Sequence, residues 1–184
     1  MHPKHHPLHL TPTEQDLVSL AFSRKAVTDL ETWDLPKIQS LSLADCPILK
    51  EDPQTGLWSY AEPISAGCLS NLTYLDIRHT LSPHIECERF WMRLRNLTKL
   101  EWLDVSFNRM DFHMFADLVN NELPLSLRSL SARVNNIHKG FDIDHPLRFP
   151  STLQMLNVSC NCLSVLQIMA IDSLIPPGCC LVDS

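Results

Sequence analysis

Apolar and polar residues alternate in a short pattern that recurs along most of the chain. Its clearest copy, Leu100 to Met110, reads LEWLDVSFNRM, or L-x-x-L-x-L-x-x-N followed by an apolar residue. Similar stretches are 38–48 (IQSLSLADCPI), 72–82 (LTYLDIRHTLS), 127–137 (LRSLSARVNNI) and 153–163 (LQMLNVSCNCL). A recurrence of this kind predicts a chain built from stacked repeats.

Within each copy, the L-x-L centre predicts a short strand. Leu103 and Val105 then point to one face of the strand, and Trp102, Asp104 and Ser106 point to the other. A strand this short cannot bury its apolar face alone, whereas stacked copies bury it against one another. The asparagine that follows suits a tight turn, because its side chain can bond nearby backbone groups.

These stretches resemble the leucine-rich repeat family, in the style of its longer, ribonuclease-inhibitor-like repeats, from about Leu35 to Leu174. The resemblance implies an α/β solenoid. We expect an arc with a short parallel β-sheet on its concave face and helices or extended loops on its convex face. The resemblance also implies protein binding without catalysis, because the family is widely used as a binding scaffold.

The repeat positions predict a single domain over residues 13–184, preceded by a disordered tail at 1–12. Five repeats occupy residues 35–174, and residues 175–184 are expected to close the stack with a last short strand. Residues 13–34 fit either an amphipathic helix or an irregular first repeat. We favour a repeat or cap, because a solenoid needs its open end covered.

The segments between the predicted strands differ from repeat to repeat. The stretch 49–67 combines proline and glycine with no periodicity, which predicts a loop. Apolar residues at helical spacing predict three helices, capped by Ser82, Asp111 and Ser164. The second is expected to bury Phe115, Leu118 and Val119, and the third Val165, Ile168, Met169 and Ala170. Residues 139–150 lack such a pattern and are expected to be extended.

Composition narrows the functional classes. The net charge of −6 argues against nucleic acid or an anionic membrane as a partner. We find neither an apolar run long enough for a transmembrane helix nor a signal peptide, so a cytoplasmic, intracellular protein is expected. Its seven cysteines are then expected to be thiols. Cys160 and Cys162 lack the usual spacing of a zinc site, so neither a metal nor a cofactor is expected.

No catalytic motif appears, and function is therefore expected on the concave face as binding of a protein partner by a monomer. Strand alternation places there Tyr74, Asp76, Arg78, Trp102, Asp104, Phe107, Ser131 and Arg133. Aromatic and arginine side chains dominate protein-binding hot spots. Each also has a plain structural explanation, such as an aspartate that satisfies local polar groups. A substrate-recognition or adaptor subunit of a larger complex, such as a ubiquitin ligase, is the alternative, by analogy alone.

Overall fold

Short parallel strands give this molecule its framework. The computed structural model describes residues 37–45, 69–80 and 94–184, together with the backbone of strands at 19–21, 27–28, 48–51 and 58–60. Seven of the strands form one parallel sheet, in the spatial order β1 (Ser19–Ala21), β3 (Ser40–Ser42), β6 (Tyr74–Asp76), β7 (Trp102–Asp104), β8 (Ser129–Ser131), β9 (Met155–Asn157) and β10 (Cys180–Val182). The predicted closing strand near the end of the chain is β10.

Equivalent positions of successive repeats lie directly beside one another in this sheet. Leu75 pairs with Leu103, and Leu103 pairs with Leu130, so the middle leucines form one row across the strands. These leucines are completely buried. The flanking strand residues point to the opposite side, which we call the open face of the sheet. The period-2 alternation read from the sequence is therefore confirmed, and it orients every candidate site residue on β6, β7 and β8.

The helices supply the other wall of the core. The helix α1 (Phe112–Asp117) begins at Asp111, whose carboxylate accepts the Met114 backbone N–H at 3.0 Å, as a helix cap does. A π-helical turn, Leu118–Glu122, follows without a break. Phe115, Leu118 and Val119 are buried in the same core as the strand leucines, as predicted. The predicted helix after Ser82 lies outside the described residues.

Asparagines between the strands and the outer segments form a buried ladder. The Asn108 amide donates to the carbonyls of Val105 and of Ile77 in the preceding repeat, both at 2.9 Å. Its oxygen accepts the Thr80 N–H at 2.9 Å. Asn135 and Asn161 repeat this arrangement in the next two repeats. Each asparagine therefore does more than form the predicted local turn. Its amide group bonds backbone groups of its own repeat and of the preceding repeat, and so links the two.

The residue before each asparagine position has a left-handed backbone. The φ angles are 59° at Asp45, 54° at His79, 61° at Phe107, 52° at Val134 and 57° at Cys160. Non-glycine residues rarely adopt this conformation. Here the backbone is held by hydrogen bonds to the neighbouring repeat, such as Phe107 N–H to Arg133 O at 3.0 Å. The sheet-like bonding therefore continues beyond the strand ends.

The structure contradicts the predicted loop of residues 49–67 at 49–51 and 58–60, and the rest of that stretch lies outside the described residues. Strands β4 (Ile48–Glu51) and β5 (Trp58–Tyr60) pair in antiparallel register, and β2 (Val27–Thr28) pairs in parallel with β4. The prolines and glycines that suggested a loop fall outside these strands in the sequence. The strands themselves carry aliphatic and aromatic residues, which favour β-structure.

The prediction for the third helix was right about its cap and wrong about its buried face. The helix α2 (Val165–Asp172) begins with a capping box between Ser164 and Gln167. However, Val165 is 72% exposed and Met169 is 62% exposed, whereas Ile171 is fully buried. The helix is apolar on most sides, so the sequence pattern did not identify the side that faces the core. Residues 139–150 contain neither helix nor strand, but turns at 139–140 and 143–144 interrupt the extended segment that was predicted.

Candidate functional site

Two aromatic rings stack on the open face. Tyr74 and Trp102 are register partners on β6 and β7. Their ring centroids are 4.2 Å apart and their planes differ by 4°. Strands about 4.8 Å apart place equivalent side chains at stacking distance. Both side chains are partly exposed, so the stack forms a rigid, half-open aromatic surface.

A carboxylate–arginine network lies directly beside the stack. Asp76 accepts hydrogen bonds from Arg78 Nε at 2.9 Å and Nη2 at 2.8 Å, and from Ser42 Oγ at 3.0 Å. Asp104, its register partner, lies 3.6 Å from Arg78 Nε and accepts the Ser106 backbone N–H at 2.8 Å. Arg78 is thus held between two carboxylates and has its main partner in Asp76.

The pKa values of the two carboxyl groups are shifted in opposite directions. Burial alone would raise the pKa of Asp76, but the hydrogen bonds from Arg78 and Ser42 outweigh it and lower the pKa. Burial raises the pKa of Asp104, and neither its bonds to Ser106 nor the more distant Arg78 compensates fully. The nearby Asp76 charge adds to that rise. One arginine therefore stabilises one carboxylate well and the other poorly.

Serine hydroxyls continue the polar network towards β9. Ser106 Oγ and Ser131 Oγ are 2.9 Å apart, and Ser106 Oγ also accepts the Arg133 backbone N–H at 3.1 Å. The Arg133 guanidinium is exposed, and its Nη2 makes a weak contact with Cys160 Sγ at 4.0 Å. Within the described residues, Arg133 forms no ion pair with a carboxylate. Its charge is available to a bound molecule.

A small pocket opens at the carboxyl ends of β3, β6 and β7. It has a volume of about 240 Å³ and is lined by Ala44, Asp45, Arg78, His79 and Phe107. His79 Nδ1 lies 2.8 Å from Asp45 Oδ1, and its ring meets that of Phe107 edge-on at 5.4 Å. Asp45 and His79 were absent from the predicted site. The signal that finds them is their shared place before the asparagine position, where the left-handed backbone aligns them across repeats.

The structure places the eight predicted site residues in two groups. Tyr74, Trp102, Phe107, Arg78 and Arg133 retain exposed side-chain surface. Asp76, Asp104 and Ser131 are buried, at 2%, 8% and 9% exposure. Asp76 and Asp104 therefore lie on the predicted face, but their side chains are buried there. Strand alternation identifies the face of a residue, whereas its exposure depends on the neighbours that cover it.

The described residues contain no group of three or more histidine, cysteine, aspartate or glutamate side chains placed to hold a metal ion. Cys160, Cys162, Cys179 and Cys180 are free thiols, and burial raises the pKa of Cys179. In the same part of the chain, no helix has both the length and the apolar character needed to cross a bilayer.

The in-register parallel sheet, the row of buried leucines and the asparagine ladder define a leucine-rich repeat fold. No protein-family model matches the sequence. No curated protein matches it either. Among solved structures, eleven chains match. One is an internalin (inlF) from Listeria monocytogenes, with 20% sequence identity and a TM-score of 0.47 over 90% of this chain and 42% of that one. This chain thus spans less than half the length of that internalin.

Proposed function

We propose that this chain is a non-catalytic protein-interaction module whose protein partner binds the open face, which is the concave side of the arc. The stacked rings of Tyr74 and Trp102 are the central anchor of this site. Phe107 and His79 flank the anchor at the pocket, and Arg133 flanks it towards β9. The observation that supports the proposal most is the ring stack, because two large aromatic side chains remain partly exposed in a fixed mutual geometry.

Asp76, Asp104 and Ser131 have a supporting role in this proposal. Their side chains are buried and bonded to Arg78 and Ser106, so they fix the groups that a partner contacts. A surface that is already ordered loses little conformational entropy on binding, which favours affinity. The network therefore acts through the position of Arg78 and the rigidity of the strand ends.

The exposed aromatic side chains are expected to determine the affinity for the partner, and the exposed arginine the association rate. Truncation of a buried aromatic anchor typically costs about 2 kcal/mol or more, roughly thirtyfold in affinity. Trp102 is expected to behave in this way. Arg133 lacks a carboxylate partner among the described residues, so its charge is expected to set the association rate and the salt dependence.

The test compares partner capture by three forms of the protein. The first is the wild type, and the second carries Tyr74→Ala, Trp102→Ala and Arg133→Ala. The third is a matched control that removes three exposed side chains from α2, with Val165→Ala, Leu166→Ala and Met169→Ala. Affinity purification with quantitative mass spectrometry identifies the proteins lost from the second form and retained by the control. Thermal melts verify that all three forms are folded.

The proposal makes a clear choice between the two faces. Partners that the wild type and the control both retain, and that the open-face variant loses, support it. If the control loses its partners while the open-face variant keeps them, the partner binds at α2 and the proposal is wrong. The same conclusion follows if the purified partner binds the wild type and the open-face variant with equal affinity.

A further inference from the structure

A groove separate from the open face runs along the segments that lead into β7, β8 and β9. Its volume is about 550 Å³. Its lining includes Arg95, in the 3-10 turn Leu94–Asn96, and Arg148, in the segment before β9. The exposed Leu125 and the partly buried Phe149 also line it. The groove therefore combines two guanidinium groups with apolar side chains.

The exposed leucine stands on a fixed backbone. Leu125 is 83% exposed, the highest value among the large apolar residues described. Its carbonyl accepts the Thr152 hydroxyl at 2.7 Å, and the adjacent Ser126 hydroxyl donates to Leu100 O at 2.7 Å. These two bonds hold the backbone around Leu125 against residues of the preceding and the following repeat. The backbone at Leu125 is therefore held in place, and its side chain adds to the apolar lining that Phe149 and Val119 contribute.

The charge of the groove is one-sided. Among the described residues, no acidic side chain lines it, and neither arginine has a described carboxylate within ion-pair distance. Glu122 lies close enough for the Arg95 charge to lower the pKa of its carboxyl, against the larger rise caused by burial. The chain as a whole carries a net charge of −6, so this basic groove is a local exception on an acidic protein. Such an exception selects for an anionic segment of a partner.

Amide side chains favour an extended peptide over a compact anion. Asn120 is already used, because its oxygen accepts the Arg148 N–H at 2.7 Å and its amide donates to Pro146 O at 2.9 Å. Asn96 and Asn121 also line the groove, and no described residue bonds their side chains. Each offers one acceptor and two donors, the groups that pair with a peptide backbone. A free phosphate would pair with the arginines but would make no contact with the apolar side chains of the groove, such as Leu125 and Phe149.

We propose that this groove is a second protein-binding site, which takes an extended acidic segment of a partner. Carboxylates of the segment pair with Arg95 and Arg148, and an apolar side chain between them packs on Leu125 and Phe149. The site is independent of the open face, because none of its lining residues lies there. Either site can therefore be removed without the other.

The probe is a capped synthetic peptide in which a Leu–Phe pair is flanked on both sides by glutamates. Its control replaces every glutamate by glutamine. Fluorescence anisotropy measures binding of both peptides to the wild type, to the double variant Arg95→Glu with Arg148→Glu, and to Leu125→Ser. Lys139→Glu is the control, since it makes, at one exposed residue outside the groove, the charge change that the double variant makes at each arginine. All substituted positions are exposed, and melting curves identify any variant that fails to fold; Arg148→Gln then replaces the double variant.

The glutamate peptide is expected to bind the wild type, and the glutamine peptide at least about tenfold more weakly. The double variant and Leu125→Ser are each expected to weaken glutamate-peptide binding several-fold or more, and Lys139→Glu to leave it unchanged. Raising the salt from about 0.02 M to 0.5 M should weaken binding, because it shortens the Debye length. Absence of peptide binding at millimolar concentration, or equal binding by the double variant, overturns the proposal. Binding of phosphatidylserine vesicles or of inorganic phosphate in place of the peptide also overturns it.

Discussion

The two register-paired carboxylates, Asp76 and Asp104, allow a stringent test of the network beside the aromatic stack. The same chemical change, aspartate to asparagine, is made at each. Asp76 accepts three hydrogen bonds from Arg78, counting the backbone N–H at 3.1 Å, and one from Ser42. Asp104 has Arg78 Nε only at 3.6 Å. The two substitutions are therefore expected to change stability in different ways.

At Asp76, asparagine removes the charge that Arg78 needs and one of the two oxygens that bind it. Hydrogen bonds to charged groups contribute about 1.5–3 kcal/mol each when buried. The Arg78 side chain is 44% exposed, so solvent screening reduces this contribution. We expect Asp76→Asn to cost about 1–3 kcal/mol at pH 7, which lowers the Tm of a chain this long by roughly 3 to 10 °C.

At Asp104, asparagine keeps the oxygen that accepts the Ser106 N–H and removes a charge that burial disfavours. The like charge of Asp76 also disappears from its surroundings. We expect Asp104→Asn to change stability at pH 7 by less than about 0.5 kcal/mol, or to increase it slightly. The asparagine amide then faces Arg78 Nε across 3.6 Å, which limits the gain.

Urea unfolding as a function of pH gives the signs directly. Asp76 has a lowered pKa in the fold, so its stabilisation is present above the unfolded pKa, near 4, and is lost as the pH falls through the folded value. Asp104 has a raised pKa, so it destabilises the ionised protein, and wild-type stability recovers as the pH falls through the raised value towards 4. That recovery should vanish in Asp104→Asn. Equal losses at pH 7 for the two variants would refute the proposed division of Arg78 between the carboxylates.

Three other substitutions test the core, the ladder and the left-handed backbone, each by urea unfolding. Leu103→Ala is expected to lower the free energy of unfolding by about 2–5 kcal/mol because it opens a cavity in the shared core, and Trp102→Ala is expected to lower it far less. Equal losses of stability would show that the strand faces are wrongly assigned. Asn135→Ala should cost about 2–4 kcal/mol, since it leaves buried N–H groups of Asn108 and Met110 unbonded, whereas Asn136→Ala, with one bond of 3.4 Å, should cost under about 0.5 kcal/mol. Cys160→Asn should stabilise the protein by up to about 1 kcal/mol, because asparagine tolerates the φ of 57° and the thiol is exposed; a loss would show that the Arg133 contact matters more.

The parts of the fold that follow from local periodicity were predictable from the sequence. The L-x-L alternation determines which residues reach the core, and equal repeats place Tyr74 beside Trp102. The cap at Asp111 follows from hydrogen-bonding chemistry over three residues. These features depend on residues close together in the chain, or on the same position in the next repeat. A single sequence contains that information.

The parts that depend on how neighbouring side chains cover one another were not predictable. Alternation assigned Asp76 and Asp104 correctly to the open face, but it did not predict that they are buried there or that Arg78 bonds Asp76. The apolar helix α2 gave no signal of the side that faces the core, and only Ile171 is fully buried there. Likewise, Asp45 and His79 belong to two neighbouring repeats and lie at a position where the repeat pattern specifies no residue type. The periodicity of the repeats does not predict such contacts between particular side chains.

The left-handed residues connect the ladder to the candidate site. Their conformation costs a non-glycine residue roughly 1–2 kcal/mol, and glycine would adopt it freely. Bonds such as His79 N–H to Ser106 O at 3.2 Å impose the conformation whatever the side chain. The side chains of His79 and Phe107 therefore do not serve the backbone. They form a wall of the pocket beside Arg78, and Asp45 bonds His79 there. In the proposed binding site, these side chains supply contact surface that glycine could not, whereas the stability of the repeat alone would be better served by glycine or asparagine.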